Sequence, residues 1–215
     1  MTRDEAVARI QQGLGFRDDV TNEIIGALQE ARRYLETGRS LPDFLLQESQ
    51  TLAVPTGSAV VAYPSGFIRE FQEEGLWYVQ AAEPDSVLRL EKLDFEIGNV
   101  RFQNVDPGPP VAYATRQSGL KFWPTRNKAY TLNWSFYKHS VALATNVTNN
   151  EWLAGDAGAP EALIGRAGMI IASDLNDKPS YDKFASMYSI GWNAITSEDQ
   201  LVDEENRPLA MGSRL

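Results

Sequence analysis

Apolar residues recur at helical spacing in the first fifty positions and then give way to short alternating runs. Val7, Ile10 and Leu14 fall on one face of a segment that opens with the capping-box pattern Thr2 to Glu5 and stops at Gly13 and Gly15. After the polar turn Arg17-Asp18-Asp19 the pattern repeats through Ile24, Leu28, Ala31 and Leu35, and Gly38 supplies a stop. These two segments predict an antiparallel helix pair. From Gln50 onward, runs rich in Val, Tyr, Phe and Trp are separated by Gly and Pro, which predicts strands over 50–54, 58–63, 76–81, 86–90, 93–97, 111–115, 119–123 and 130–137. The last is the clearest: Tyr130, Leu132, Trp134 and Phe136 alternate with Thr131, Asn133, Ser135 and Tyr137, so one face belongs in a core. The stretch DPGPPV, 106–111, carries too much proline for a central strand and reads as a loop or sheet edge.

Helical spacing returns at Asn149. NNEWLAG has the length of one turn, and Pro160 then suits the first turn of a helix that carries Leu163, Ala167, Ile170 and Ile171. Gly165, Gly168 and Ala172 give that helix a stripe of small residues against which another backbone can lie. Phe184, Met187, Tyr188, Gly191 and Ile195 mark a fourth helix. Residues 196–215 place five acids between Glu198 and Glu205, followed by Pro208, Leu209, Met211 and Leu215. So few apolar groups cannot form a core, which predicts a tail either disordered or ordered by a partner. The predicted fold is α+β: a helical body of two N-terminal helices (1–48) and two C-terminal helices (149–195), an inserted antiparallel β-sheet or sandwich region (49–148), and an extended C-terminal tail (196–215), all in one domain assembly.

Composition supports a globular chain, since 215 residues with 43% hydrophobic and 23% charged side chains can bury a sizeable core. The net charge of −9 opposes non-specific binding to nucleic acid over the whole surface, but it is unevenly spread. Between Pro107 and Asn150 there is no acid, while Arg116, Lys121, Arg126, Lys128 and Lys138 give +5, leaving −14 elsewhere. The absence of cysteine excludes disulfides, thiolate metal sites and cysteine nucleophiles. No apolar run approaches the ~18 residues of a membrane span, and the N-terminus lacks the apolar stretch of a signal peptide.

Candidate chemistry is sparse. His139, the only imidazole, follows a strand end, and YPSGF around Ser65 lacks the first glycine of a nucleophile elbow, so His139 reads as an exposed strand-end residue. Phosphate-cradling glycine motifs and zinc-ligand spacings are absent. A pair of carboxylates in the manner of a glycosidase stays open, because their separation is a three-dimensional property. Trp77, Trp123, Trp134, Trp152 and Trp192 fit strand or helix apolar patterns and read as core or interface anchors, with sugar stacking as the alternative. We expect no catalytic residue, no metal ligand set and no cofactor. LKFWP and YTLNWSFYKH read as two strands whose Leu120, Phe122, Leu132, Trp134 and Phe136 fill the β core. Their connecting turn presents Arg126 and Lys128 at an exposed tip, where an acidic surface of a neighbouring subunit or tail protein could meet them.

Four phrases in this order, VTNEIIGALQEARRYLE, TLAVPTGSAVVAYPSGFIR, GLKFWPTRNKAYTLNWSFYK and NNEWLAGDAGAPEALIGRAGMIIASDLNDKPSYDKFASMYSIGWNAI, resemble the head-to-tail adaptor (connector) proteins of short-tailed bacteriophages. The resemblance covers nearly the whole chain. It implies a structural virion protein and not an enzyme: a ring of about twelve copies under the portal that extends the DNA channel and offers the tail a platform. Its implied partners are the portal protein, a tail or nozzle protein and further copies of itself, with packaged DNA passing through without sequence-specific binding. Helices are implied to form the ring body, the β region to face the tail, and the C-terminal segment, here with Leu201, Arg207, Leu209 and Met211, to reach the portal. The implied location is the virion neck, after synthesis in the host bacterial cytoplasm. Two other classes stay open on the residues alone: a carbohydrate-binding or hydrolytic β module relying on Trp123 or Trp77, and a weak single-stranded nucleic-acid binder relying on Lys121, Arg126 and Lys128.

Overall fold

The computed structural model describes residues 1–38, 40–57, 59–71, 75–80, 83–144, 150–155 and 158–206. The chain is α+β and divides into two compact units, Met1–Leu45 with Ser140–Leu215, and Leu46–His139. The first is helical, and the second is built mainly of strands.

In the helical unit, α1 (Arg3–Gly13) begins at the predicted capping box: Thr2 Oγ1 accepts from the Glu5 amide at 3.2 Å, and Glu5 returns a carboxylate oxygen to the Thr2 amide at 2.7 Å. Helix α2 (Thr21–Glu36) buries Ile24, Ala27, Leu28, Ala31 and Leu35 along one stripe, as its spacing requires. After a single turn, α4 (Glu151–Ala154), the chain enters α5 (Ala159–Asp174), which carries Pro160 in its first turn and buries nine of its residues. Helix α5 is buried so fully because α1, α2, α4 and α6 (Lys178–Asn206) all pack on it. The α5–α6 contact is backbone-close. A Cβ added to Gly165 would stand 2.5 Å from the Tyr188 amide nitrogen, and one on Gly191 would stand 2.5 Å from that of Ala162. The small-residue stripe therefore does what its sequence suggests. The fourth helix differs from expectation at its far end: its backbone continues past Ile195 to Asn206, through residues that the apolar pattern assigns to a tail. The pattern stops at Ile195 because apolar residues stop there, and helical hydrogen bonding does not need them. Arg207, Leu209 and Met211 lie outside the described residues.

The β unit has two sheets. The larger contains β1 (Leu46–Val54), β8 (Tyr130–Lys138), β3 (Leu76–Gln80) and β4 (Glu83–Arg89) in that order, and β2 (Phe67–Glu70) also pairs with β8. All its pairings are antiparallel. The smaller has the order β5 (Glu91–Lys92), β6 (Ala112–Arg116), β7 (Gly119–Trp123). Leu52, Val54, Leu76, Leu132, Trp134 and Phe136 from the first sheet and Tyr113, Leu120 and Phe122 from the second share one core. The five side chains expected to fill the β core are all in it.

Three local expectations fail for identifiable reasons. LKFWP and YTLNWSFYKH are both strands but not each other's partners: β7 pairs with β6 through the tight turn between Arg116 and Gly119, and β8 lies in the other sheet. Segment 93–97 is not a strand, because α3 (Phe95–Arg101) forms there. Leu93, Phe95 and Ile97 alternate like a strand, yet Phe95, Gly98 and Phe102 also fit helical spacing and all meet Trp123. Of the predicted strand 58–63, the described residues keep only a single bridge, Val61 to Leu120. Strand β2, which follows it, has no alternation over its four residues to mark it.

Candidate functional site

Among the candidate contact residues, those of the basic turn depart furthest from the sequence reading. After β7 the chain passes through a cis Trp123–Pro124 bond and threads between two other segments. Gly57 donates its amide to the Arg126 carbonyl at 2.9 Å, and Gly108 donates to the Thr125 carbonyl at 2.9 Å. This places Arg126 inside the unit, 2% exposed, with Nη2 donating to the Ala59 carbonyl at 2.9 Å and the guanidinium carbon 5.6 Å from the Phe122 ring centre. The expectation that Arg126 stands at an exposed tip is thus overturned. It is a buried cation whose Nε and Nη1 have no hydrogen-bond partner among the described residues. Burial lowers its pKa from the ordinary value, and burial together with the nearby Arg126 charge lowers that of Lys121. Only Lys128 keeps the predicted exposure, its Nζ lying 5.5 Å from the Tyr130 ring centre.

The other named residues are placed as follows. His139 is exposed at the end of β8, where its amide donates to the Gly66 carbonyl at 2.8 Å. Trp123, Trp134 and Trp152 are buried, so none offers a ring face to a sugar; Trp123 is covered by Phe95 and Phe102 around α3. Trp192 is half-buried and stacks on Tyr188. Leu201 lies within α6.

Two buried polar clusters escape the sequence reading. In the β unit, Glu70 is 8% exposed and accepts from Lys92 Nζ at 2.5 Å and from the Tyr113 hydroxyl. Glu70 comes from one sheet and both of its donors from the other, so a charge-assisted bond ties the layers. Burial, and then the Glu70 carboxylate, push the Tyr113 pKa well above the ordinary tyrosine range, so this hydroxyl is a fixed donor and holds its proton at neutral pH. In the helical unit, the fully buried Glu36 accepts from the Ser140 amide at 3.2 Å, from the Ser140 hydroxyl and from Trp152 Nε1 at 3.1 Å. Asn150 completes this cluster: its amide nitrogen donates to the Val141 carbonyl, and its oxygen caps α4 at the Trp152 and Leu153 amides. Both clusters hold elements in place. A lone Glu at the end of an apolar helix stripe, as with Glu36 beside Leu35, is the sequence signal that could have revealed the second.

Nothing in this geometry brings a nucleophile, base and orienting group together at the residues named above. The comparisons with known proteins bear on what the chain does. No curated protein matches it significantly. A family model described as SU10 adaptor protein matches residues 1–211, almost the entire length. This match over almost the whole chain makes the assignment: the chain belongs to the SU10 adaptor protein family.

Proposed function

We propose that this phage adaptor is a structural protein of the virion neck that forms a ring between portal and tail, of about twelve copies, and extends the DNA channel. The family match over residues 1–211 is the observation that carries the reading. The course of α6 supports it. Gly158, just before α5, lies against Gly191 and Ala194, so beyond Thr196 helix α6 outruns its antiparallel partner by about 15 Å. That projecting end has no basic residue in its last turn, although the negative pole of a helix favours cations there. A cationic surface on the portal would satisfy it, and Leu201, Arg207, Leu209 and Met211 would supply the apolar and specific contacts. DNA would pass through the channel without sequence-specific contact, and the chain would reach the neck after synthesis in the host cytoplasm.

Truncation before Ser197 tests the portal contact, since it removes all four of those residues and leaves α5 and its facing part of α6 intact. In co-sedimentation with purified portal the full chain should bind and the truncated chain should not. Equal binding by both would remove the C-terminal segment from the portal contact. Lys128 is the remaining candidate of the basic turn for the tail-facing or subunit contact. Lys128→Glu should weaken tail attachment without changing the thermal midpoint, and unaltered attachment would make Lys128 a solvated cation. Arg126 leaves this test, because reversing its charge would bury a carboxylate and unfold the β unit.

A further inference from the structure

Phe16, in the turn between α1 and α2, is 74% exposed while its backbone is left-handed, with φ of 63°. A bulky residue is strained in that region, and an aromatic ring in water gains nothing for its own fold. The turn is nevertheless well fixed. The Phe16 amide donates to the Gln11 carbonyl at 2.8 Å, Gln11 Nε2 donates to Thr21 Oγ1 at 2.8 Å, and Arg17 holds Asp19 through two bonds of 2.6 and 2.7 Å. A strained, exposed and pre-ordered aromatic side chain has the properties of an interface anchor.

The same unit contains a recess suited to it. Arg166, Met169, Ile170, Ser173 and Asp174 of α5 and Tyr181 of α6 line a cavity of about 240 Å³. The Arg166 guanidinium carbon lies 4.2 Å from the Tyr34 ring centre, and its Nε is buried without a partner among the described residues. Thioether, guanidinium and tyrosine are the groups that favour a phenyl ring in contact, and Met, Arg and Tyr are enriched in the cores of protein interfaces. Charge is complementary at one pair: exposed Asp18, two residues from Phe16, can face Arg166, while the intervening Arg17 is already paired with Asp19 and Asp174 of the lining opposes Asp18.

The recess and the anchor are different patches of the unit, one on α5 and α6 and the other in the turn that follows α1. Helix α1 reaches α5 at Glu161, which binds Arg9 at 3.0 Å. At about 100° per residue, Arg166, Met169 and Ile170 are roughly 80–180° around α5 from Glu161. Two different, complementary patches make a head-to-tail contact, the kind that closes rings, whereas a two-fold contact needs one self-complementary face. We propose that Phe16 of one copy inserts into the Arg166–Met169–Ile170–Tyr181 recess of the next copy, with Asp18 meeting Arg166. This rests on the ring reading and specifies one of its subunit contacts.

A photoreactive benzoylphenylalanine placed at position 16 of the full chain tests this, both at high concentration in isolation and in the presence of portal. The expected adduct joins position 16 to Met169, Ile170 or Tyr181 of a second copy. Phe16→Asn, which suits a left-handed position, should keep or raise the thermal midpoint while weakening self-association by about tenfold or more. Adducts confined to other surfaces, no adduct to a second copy in either setting, or unchanged association of Phe16→Asn would overturn the inference. A chain that joins the portal yet gives none of the expected adducts leaves the adaptor reading standing, whereas a chain that never joins the portal overturns that reading itself.

Discussion

Trp134→Ala should destabilise the β unit by about 3–5 kcal/mol, whereas Trp134→Phe should cost far less. Trp134 is fully buried at the middle of β8, stacked against Phe67 and tilted against Phe136, in the core that the two sheets share. Truncation to alanine removes the largest side chain of that core and leaves a cavity that neighbours on both sheets cannot fill without moving. The indole Nε1, however, is buried and makes no hydrogen bond among the described residues, so Phe gives up no polar contact and relieves an unsatisfied donor. Chemical denaturation of the three proteins, followed by near-ultraviolet signals of the β unit, checks the order. If Phe proved as damaging as Ala, a hydrogen bond of the indole would have to carry the stability, contrary to this packing account.

The second large effect belongs to the helical unit. Gly165→Leu should destabilise it by about 3 kcal/mol or more, because the new side chain meets backbone and not a movable side-chain tip. A Cβ at this position would lie 2.5 Å from the Tyr188 nitrogen, 2.8 Å from its Cα and 2.9 Å from the Phe184 carbonyl oxygen. The higher helix propensity of leucine returns only about 1 kcal/mol. Relief requires α5 and α6 to separate, which would also disturb Phe184, buried between them against Gly13 and Gly168. Gly26→Leu is the matching control: nothing stands within 4 Å of a Cβ there, and on exposed α2 surface the change should be neutral or stabilising. Thermal unfolding monitored by helical circular dichroism separates these outcomes. Equal midpoints for the two variants would mean that the helices do not approach as closely as described.

What could be read from the sequence follows from the range over which each signal acts. Capping at Thr2, the stripes of α1 and α2, Pro160 at the start of α5 and the glycines facing α6 are local or strictly periodic, and each appears where its pattern places it. The apolar face of β8 is equally legible. Its other face is less so: Ser135 and Tyr137 alternate as polar positions, yet both are buried, Ser135 by accepting from the Ser49 amide at 3.0 Å and Tyr137 under Phe71 and Arg69. Alternation reports the pleat, and only tertiary pairing decides whether the second face is also covered. Segment 93–97 shows the same limit, since a few apolar residues satisfy two periods and Trp123, distant in sequence, selects the helix.

Among candidate contact residues, charge and turn position assign Arg126 and Lys128 the same role, but their burial separates them. The difference arises from Gly57, Gly108 and Ala59, which surround Arg126 and are remote from it in sequence. Glu70 and Glu36 were hidden for a related reason, because their partners Tyr113, Lys92, Ser140 and Trp152 become neighbours only on folding. Phe16 could not be singled out either: one Phe after a glycine looks like any turn residue until its backbone angle and exposure are known. A surface role depends on what a residue fails to contact, and sequence pattern carries no record of that.

The proposed role is that of a neck component that becomes a ring on the portal. Its most direct test is electron microscopy of purified portal mixed with the full-length chain, with image classes inspected for an added layer. The expected result is a closed ring of identical subunits stacked on one end of the portal, with a continuous central channel. Bare portals beside a chain that circular dichroism shows to be folded would contradict it.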